Sequence, residues 1–201
     1  MGQRLSARSL AAERGLSEVS KNVYVLLFRG INVGGNKIVR MELLREMLVE
    51  LGFENVATYI QSGNVVLTSD QSAAEVTKAV EGAFPPAFGF SSRPTIRSLS
   101  EWQRVIDADP FAEVRSDGRQ MHAVFLDDQP SEAAVDQLRA LAGTEEMVLA
   151  DGVLYLYTPD GFGKSKVAEA LDKVLKVPLT ARNWNTVLKL GEMANVAARD
   201  G

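Results

Sequence analysis

The sequence contains no cysteine and a single histidine among its 201 residues. Without cysteine, the chain has no disulfide, no thiolate metal site and no cysteine nucleophile. A zinc site built on histidine would need a partner for His122, and the chain has no second histidine. We therefore predict no dedicated metal site. The lack of disulfides suits a reducing compartment, and we expect the protein in the cytoplasm.

Long apolar runs and a basic charge balance are also missing. No run approaches the roughly 20 apolar residues of a membrane-spanning helix. Residues 1–20 carry charges throughout and lack the apolar region of a signal peptide. The net charge of −4 disfavours, without excluding, binding to nucleic acids or anionic membranes. We expect no membrane partner and rank nucleic acid below a small molecule as a ligand.

The composition is that of an ordinary globular protein, with 46% hydrophobic and 24% charged residues. Apolar periodicity predicts six elements in the first half, in the order β-α-β-β-α-β of a ferredoxin-like domain. They are Val23–Phe28, Met41–Leu51, Val56–Gln61, Val65–Ser69, Ser72–Phe84 and Arg93–Ser98. We expect Pro85 and Pro86 to end the second helix.

The same order recurs after a short predicted helix, Ser100–Ala108, for which Ser100 is the expected N-cap. The polar segment Arg115–Arg119 is the predicted linker. The elements of the second half are Met121–Leu126, Ser131–Leu141, Met147–Ala150, Val153–Thr158, Ser165–Leu175 and Thr180–Trp184, and Thr186–Ala197 forms a closing helix.

These patterns predict an α+β fold of two ferredoxin-like halves in tandem, with packed antiparallel sheets and an extra C-terminal helix. We divide the chain into an N-terminal extension (1–20), a first half (21–98), a helical connector and linker (99–119) and a second half (120–201). Val23–Phe28 and Val153–Tyr157 do not alternate apolar with polar residues. Both faces of these strands are therefore expected to be covered, by the other sheet or by added helices.

The first candidate binding segment is the polar loop 29–37, which follows the first predicted strand. Gly30, Gly34 and Gly35 permit positive φ and close approach of backbone N–H groups to a ligand. The side-chain donors, without any carboxylate, indicate an anion such as a phosphate. Those donors are Arg29, Asn32, Asn36 and Lys37. The alternative is a structural turn whose polar residues cap the next helix.

The second candidate segment, Thr158–Lys166, contains Gly163-Lys164-Ser165. It is not a P-loop, because that motif needs a glycine where this chain has Thr158. Lys164, Ser165 and the amides that open the next helix are nevertheless suited to an anion. The alternative makes Ser165 an N-cap beside two solvated lysines.

The third candidate segment groups Arg182, Asn183, Trp184 and Asn185, which is a dense set of donors beside an indole. Trp184 is suited to stack on a ring of the ligand. The alternative is a core tryptophan, with Asn185 or Thr186 capping the last helix.

Hydrolytic machinery is not indicated by the sequence. A Ser-His-Asp triad would need His122, which lies in an apolar run and is interpreted as a sheet residue. No Gly-x-Ser-x-Gly elbow is present. The adjacent carboxylates Asp127-Asp128 and Glu145-Glu146 are interpreted as solvated charge.

Four segments together resemble a bacterial family known only as a domain of unknown function. They are Arg-Gly-Ile-Asn-Val-Gly-Gly-Asn-Lys (29–37), Gln-Ser-Gly-Asn-Val (61–65), Gly-Phe-Gly-Lys-Ser-Lys (161–166) and Arg-Asn-Trp-Asn-Thr-Val (182–187). The resemblance spans roughly Val23 to Ala194. It implies a two-part α+β fold with ferredoxin-like halves, and it implies no activity or catalytic residues. The family carries a second threonine where this chain has Ala181.

The first functional hypothesis is a small-molecule binder, or an enzyme, for a phosphorylated or otherwise anionic ligand. Its site would form where the first loop meets the second or the third segment. The predicted site residues are Arg29, Asn32, Gly34, Gly35, Asn36, Lys37, Lys164, Ser165, Arg182, Asn183, Trp184 and Asn185. Phe162 is a second candidate to cover the ligand. The sequence indicates no cofactor, although a nucleotide ligand would bring a metal through Asp127 or Asp160.

Two alternatives stay open. One is a nucleic-acid module of RRM-like topology, which would stack bases on Tyr155 and Tyr157 of a sheet face. The other is a structural or regulatory protein that self-associates through a sheet. The sequence does not determine the reaction, if any, or the oligomeric state.

Overall fold

The structure, a computed structural model, describes residues 21–200, so the predicted extension 1–20 lies outside the described residues. The first half carries four strands and two helices in the predicted order. They are β1 (Asn22–Leu27), α1 (Met41–Glu50), β2 (Glu54–Tyr59), β3 (Asn64–Ser69), α2 (Ala73–Phe88) and β4 (Thr95–Ser98). The strands form an antiparallel sheet in the order β2-β3-β1-β4.

The second half repeats this arrangement after α3 (Leu99–Asp107) and a short 3-10 turn (Gly118–Gln120). Its sheet has the order β6-β7-β5-β8 and is antiparallel throughout. The elements are β5 (Met121–Leu126), α4 (Glu132–Leu141), β6 (Glu146–Ala150), β7 (Val153–Tyr157), α5 (Lys166–Leu175) and β8 (Leu179–Asn183), followed by α6 (Trp184–Asp200). The predicted α+β class with two similar halves and a C-terminal helix is confirmed.

A central core lies between the two sheets and joins the halves. It contains alternate residues of β1 and of β5, because successive side chains of a strand point to opposite faces of the sheet. Val25 of β1 and Phe125 of β5 are both fully buried there. Trp102 of α3 stacks on Phe125 with ring centroids 4.9 Å apart, and its Nε1 donates a hydrogen bond to the Val187 carbonyl of α6 at 3.0 Å. The continuous apolar character of the central strands predicted that both of their faces are covered. The inner face of each sheet is indeed covered, by the other sheet and by the added helices α3 and α6.

Two outer cores complete the layers. Helices α1 and α2 cover the other face of the first sheet. Helices α4 and α5 cover the other face of the second sheet, where Val124 of β5 and Leu171 of α5 are buried. Among the helices of residues 21–200, none is long and apolar enough to cross a membrane.

Helix α2 runs through Pro85 and Pro86 to Phe88, so the prediction that these prolines end it is wrong. The carbonyls that they leave without a helical donor belong to Glu81 and Gly82, which are exposed to water. Phe84 lies 5.2 Å from the ring of Phe28 and 4.6 Å from that of Phe88, so aromatic packing holds the last turn. The helix instead ends at Gly89, a left-handed C-cap.

Two other boundaries differ from the prediction. Ser98, rather than Ser100, caps α3, since its hydroxyl accepts from the Glu101 N–H and the Glu101 carboxylate accepts from the Ser98 N–H. Helix α6 begins at Trp184, and the Asn183 side chain accepts from the Thr186 N–H at 2.9 Å. Asn183 is therefore the helix cap, in place of the predicted Asn185 or Thr186.

Candidate functional site

The first loop folds into a miniature hairpin. The Asn36 N–H donates to the Val33 carbonyl and the Asn32 N–H to the Lys37 carbonyl, both at 3.1 Å. Gly34 and Gly35 form the turn, with φ of 59° and 77°. Two successive positive φ values are characteristic of a type I′ turn, which favours glycine at both positions. These two glycines therefore have a conformational role in the loop.

The side chain of Asn32 holds this loop against its neighbours. Its Oδ1 accepts from the Val39 N–H at 2.8 Å, and its Nδ2 donates to the carbonyls of Val39 and Gln61 at 2.9 and 2.7 Å. Lys37 is exposed, with its Nζ 5.6 Å from the centroid of the Phe90 ring. Asn36 makes a 3.5 Å contact with the Gly34 carbonyl. Among the predicted donors of this loop, Asn32 is thus already engaged within the fold.

Arg182 connects the third segment to the first half of the chain. Its Nη2 donates to the carbonyls of Phe28 at 2.8 Å and Ser62 at 3.1 Å, and its Nε donates to the side-chain oxygen of Asn64. Its Nη1 bonds Thr180 and the Ala181 carbonyl within β8. Every acceptor is neutral, and burial lowers the pKa of Arg182 to about 10. The guanidinium therefore joins two of the four segments on which the family resemblance rests, 61–65 and 182–187, and also bonds Phe28, the residue that precedes the first loop.

Arg29 makes a second link between the halves. Its guanidinium pairs with the Asp172 carboxylate of α5, and both side chains are about half exposed, at 50% and 57%. This ion pair connects the first loop to the helix that Ser165 opens. The first loop therefore lies against both the third segment and α5.

Trp184 and Asn185 of the third segment make their contacts within the protein. Trp184 is 1% exposed, belongs to the central core and lies under the Arg115 guanidinium, 5.4 Å from its ring. Asn185 lies against Gly118 so closely that a Cβ there would collide with its side-chain oxygen. The alternative of a core tryptophan therefore describes Trp184, and stacking on a ligand is not available to it in this arrangement.

A cavity of about 310 Å³ lies at the second candidate segment. Its wall is built by the chain between α4 and β6 and by the chain between β7 and α5. The lining residues are Leu141, Gly143, Thr144, Glu145, Thr158, Asp160, Gly161, Lys164, Ser165 and Lys166. Lys164 and Ser165 were predicted as site residues. Lys166 ends the same segment but was not among the predicted site residues. Thr144 and Glu145 were not predicted either, because nothing in their local sequence indicates that the fold brings them to this loop.

The carboxylates of the cavity are engaged by hydroxyl groups. Ser165 caps α5, since its Oγ accepts from the Ala168 N–H at 3.1 Å, and the same hydroxyl donates to Glu145 at 2.7 Å. The bond from Ser165, and then that from the Gly143 N–H at 2.8 Å, lower the pKa of Glu145. Thr144 donates to Asp160 at 2.8 Å. Glu145 therefore places the protein's own anion at the start of α5, and this carboxylate also caps polar groups of the cavity wall.

The two lysines of the cavity are exposed and uncommitted. Within residues 21–200, neither Lys164 nor Lys166 has a carboxylate within 4.0 Å, although eight other cations form ion pairs. Over the same residues, no group of three or more histidine, aspartate and glutamate side chains is placed to hold a metal ion. The cavity therefore presents free positive charge beside carboxylates that are already hydrogen-bonded.

The predicted segments form two locations. Leu179 and Ala181 of β8 pack into the core under α4 and α5, so Arg182 points to the opposite face, toward the first sheet. There it meets the carbonyls of Phe28, just before the first loop, and of Ser62. Lys164 and Ser165 line the cavity at the edge of the helix-covered face. The Arg29–Asp172 ion pair is the link between the first loop and the second location.

The aromatic residues proposed for base stacking are packed inside the protein. Tyr155 is 2% exposed, and its hydroxyl donates to the Val105 carbonyl at 3.1 Å. Burial raises the pKa of Tyr155 to about 12. Tyr157 stacks on Phe111 with ring centroids 5.6 Å apart. The sheet face that an RRM-like module would use is the face that forms the central core here.

Comparisons with known proteins place these features in context. A family model described as "Protein of unknown function (DUF1697)" matches residues 22–155, more than half of the chain. The chain is also similar to the solved structure of a conserved bacterial protein, SP0830 from Streptococcus pneumoniae, with 28% sequence identity and a TM-score of 0.68. That match covers 87% of this chain and 99% of the other. No curated protein gives a significant match.

Proposed function

The chain belongs to the DUF1697 family of proteins of unknown function, and we propose that it binds a small anionic, phosphate-bearing ligand in the cavity beside Lys164 and Ser165. The observation that carries this proposal is the pair of uncommitted lysines, Lys164 and Lys166, at a cavity of about 310 Å³. A volume of this order is at the lower end of small-molecule sites. The ligand is therefore expected to be the size of a small phosphorylated metabolite.

The charge distribution favours an anion over a cation. Glu145 and Asp160 already accept hydrogen bonds from Ser165 and Thr144, which occupy part of their accepting capacity. The ammonium groups of Lys164 and Lys166 have no such partners within the described chain. Charge-assisted hydrogen bonds from ammonium to phosphate are stronger than neutral ones. The ammonium groups of Lys164 and Lys166 are therefore the groups that hold the ligand. The backbone amides at the start of α5 do not, because Glu145 faces them.

The first loop supports this site indirectly. Its Asn32 bonds the Gln61 carbonyl, Arg182 bonds the carbonyl of Phe28 just before the loop, and Arg29 pairs with Asp172 on α5. Since α5 begins at the cavity, the loop helps to position the helix whose first turn carries Lys166 and whose cap is Ser165. Arg29 and Arg182 also add to the positive potential at the junction of the two halves. A cytoplasmic location stays a prediction.

The test is calorimetric titration with inorganic phosphate, ribose 5-phosphate and adenosine monophosphate. The parent is expected to bind at least one of them, and Lys164→Ala and Lys166→Ala are each expected to weaken that binding about tenfold. This factor corresponds to the loss of one charge-assisted hydrogen bond at an exposed position, about 1.4 kcal/mol. Lys173→Ala is the matched control, because Lys173 is an exposed lysine of α5 that does not line the cavity.

The proposal fails on either of two results. One is the absence of binding to any of the three phosphates by a folded parent protein. The other is an equal affinity in Lys164→Ala, Lys166→Ala and the Lys173→Ala control, which would show that general surface charge, rather than this cavity, holds the anion.

A further inference from the structure

His122, the only histidine of the chain, carries an unsatisfied polar atom. Its Nδ1 is buried and has no hydrogen-bond partner, and no other buried side-chain nitrogen or oxygen within residues 21–200 is in this state. Buried polar groups are nearly always hydrogen-bonded, so an exception requires an explanation. The Phe162 ring covers the imidazole, with ring centroids 3.8 Å apart and an interplanar angle of 27°.

The surroundings of His122 keep its ring neutral. Burial lowers the pKa of His122 to about 4, and no charged group contributes to this shift. Its neighbours across the sheet, Leu156 of β7 and Asn183 of β8, are uncharged. The charged residues near it in the covering segment are Asp160 and Lys164. Asp160 accepts from Thr144, and Lys164 is exposed.

The segment that covers the imidazole also forms part of the cavity wall. Gly161 and Lys164 line the cavity on either side of Phe162 in the chain. Thr158, another lining residue, donates its N–H and its hydroxyl to the Gln120 carbonyl, at 2.6 and 3.1 Å. Gln120 is two residues before His122. The Phe162 ring that covers the imidazole is therefore carried by a segment that lines the cavity.

The segment that carries Phe162 is a short turn with two glycines and few hydrogen bonds. Phe162–Lys164 is a single 3-10 turn, preceded by Gly161 with φ of 99° and containing Gly163. A Cβ at either glycine would have no neighbour within 4 Å. The turn is held by two backbone hydrogen bonds, from Lys164 to Gly161 and from Ser165 to Phe162. Phe162 itself is only half-buried, so its displacement exposes little apolar surface.

We propose that Phe162 is a gate over His122, and that its opening presents the neutral imidazole to the cavity as a hydrogen-bond acceptor. The contact between His122 and a ligand rests on the proposed function, because the imidazole would accept a hydrogen bond from a hydroxyl of the phosphate-bearing ligand. This pairing identifies the ligand class as a hydroxylated phosphate, such as a sugar phosphate, in preference to inorganic phosphate. His122 is then a ligand-contacting residue that the closed arrangement hides.

The gate is tested without any ligand, by the rate at which diethylpyrocarbonate modifies the untagged protein, followed at 240 nm. The signal reports His122 alone, since the chain has no other histidine. A gate predicts a rate that depends only weakly on low concentrations of urea, because local opening exposes little surface. Gly163→Ala should slow modification several-fold by stiffening the turn. Phe162→Ala should accelerate modification about tenfold and move the imidazole pKa, followed by NMR, toward 6.5.

Phe90→Ala is the matched control, because Phe90 is a partly buried phenylalanine of the first half that packs on Phe84. It should leave the modification rate of His122 unchanged. A parent rate with the full urea dependence of global unfolding would overturn the gate, since His122 would then be an inert core residue. So would a Phe162→Ala variant that is folded by circular dichroism and reacts at the parent rate.

The hydrogen bond between His122 and the ligand is tested separately with His122→Phe. This variant should lose about tenfold in affinity for ribose 5-phosphate and nothing for inorganic phosphate, since only the sugar offers a carbon-bound hydroxyl group. An equal loss for both, or no loss for either, overturns the hydrogen bond to the ligand. If neither compound binds the parent, both the proposed function and the contact between His122 and the ligand fail. The modification rates still show whether Phe162 acts as a gate.

Discussion

At the scale of single residues, His122 makes the stability of the protein depend on pH, with a loss of stability at acidic pH. Its imidazole is buried and neutral in the folded chain, with a pKa lowered to about 4 from the ordinary value of 6.5. Above pH 6.5 both states are neutral, so this residue contributes no pH dependence there. As the pH falls from 6.5 to 4, the unfolded chain takes up a proton that the folded chain does not. The folded state is therefore progressively destabilised across this window.

We expect the free energy of unfolding to fall by on the order of 3 kcal/mol between pH 6.5 and 4 through His122 alone. The measurement is the urea midpoint of the parent and of His122→Phe at several pH values. Carboxylates titrate in both proteins, so the difference between their two curves isolates the imidazole. Two parallel curves would contradict the prediction.

At the scale of elements, the turns between strands show which glycines the fold requires. Gly63 of the β2–β3 turn has φ of 72°, and a Cβ there would lie 2.6 Å from Ile31 Cδ1 and 2.8 Å from Phe28 Cβ. Gly34 of the first loop has a similar φ of 59°, but a Cβ there would have no neighbour within 4 Å. The two positions therefore share backbone strain and differ in packing.

This difference predicts unequal effects of the same substitution. Gly34→Ala should lower the free energy of unfolding by about 1–2 kcal/mol, from the left-handed backbone alone. Gly63→Ala should lower it by about 2–4 kcal/mol, because the new methyl group also displaces the chain at Phe28 and Ile31. Urea denaturation measures both. A Gly63→Ala variant no less stable than Gly34→Ala would show that the turn relaxes without cost.

The helices were easier to identify than their ends. The apolar periodicity of α1, α4 and α5 was sufficient to predict their positions, since a helix buries one stripe of side chains. The end of α2 was not predicted correctly, because two prolines normally stop a helix. Here the packing of Phe84 against Phe28 and Phe88 maintains the helix through them. Tertiary contacts decided a boundary that local rules alone placed four residues too early.

At the scale of the whole molecule, Arg182 is the polar joint between the halves. Three of its five hydrogen bonds connect β8 to the backbone after β1 and to the β2–β3 turn, and the other two are made within β8. No carboxylate lies within 4.0 Å of it in the part of the chain that the structure describes. The fork of N–H groups is what satisfies the carbonyls of Phe28 and Ser62 at this junction.

We expect Arg182→Ala to lower the free energy of unfolding by about 2–4 kcal/mol, because it leaves several partly buried acceptors without a donor. Arg182→Lys should recover only part of this loss, since an ammonium group does not reproduce the fork. Arg93→Ala is the control, as its ion pair with Glu81 is exposed, and its effect should stay within about 0.5 kcal/mol. Equal stability of the three variants in urea would contradict the role of Arg182 as a joint.

The sequence by itself determined the class of the fold, the order of the elements and the burial of both faces of the central strands. It did so because these properties follow from the spacing of apolar residues along the chain. It also identified the segments 61–65 and 182–187 that meet at Arg182, and one of the two segments that line the cavity. The family to which the four segments pointed is confirmed by the match to residues 22–155.

Only the tertiary structure decided what the polar residues of those segments contact. Arg182 bonds atoms more than a hundred positions away, and Ser165 meets Glu145 from another loop. Trp184 became core because the second sheet closes over it. Lys164 was left free because no carboxylate of residues 21–200 reaches it. The physical reason is that apolar periodicity is a local property. The partner of a hydrogen bond or charge instead depends on which distant segments the packed sheets bring together.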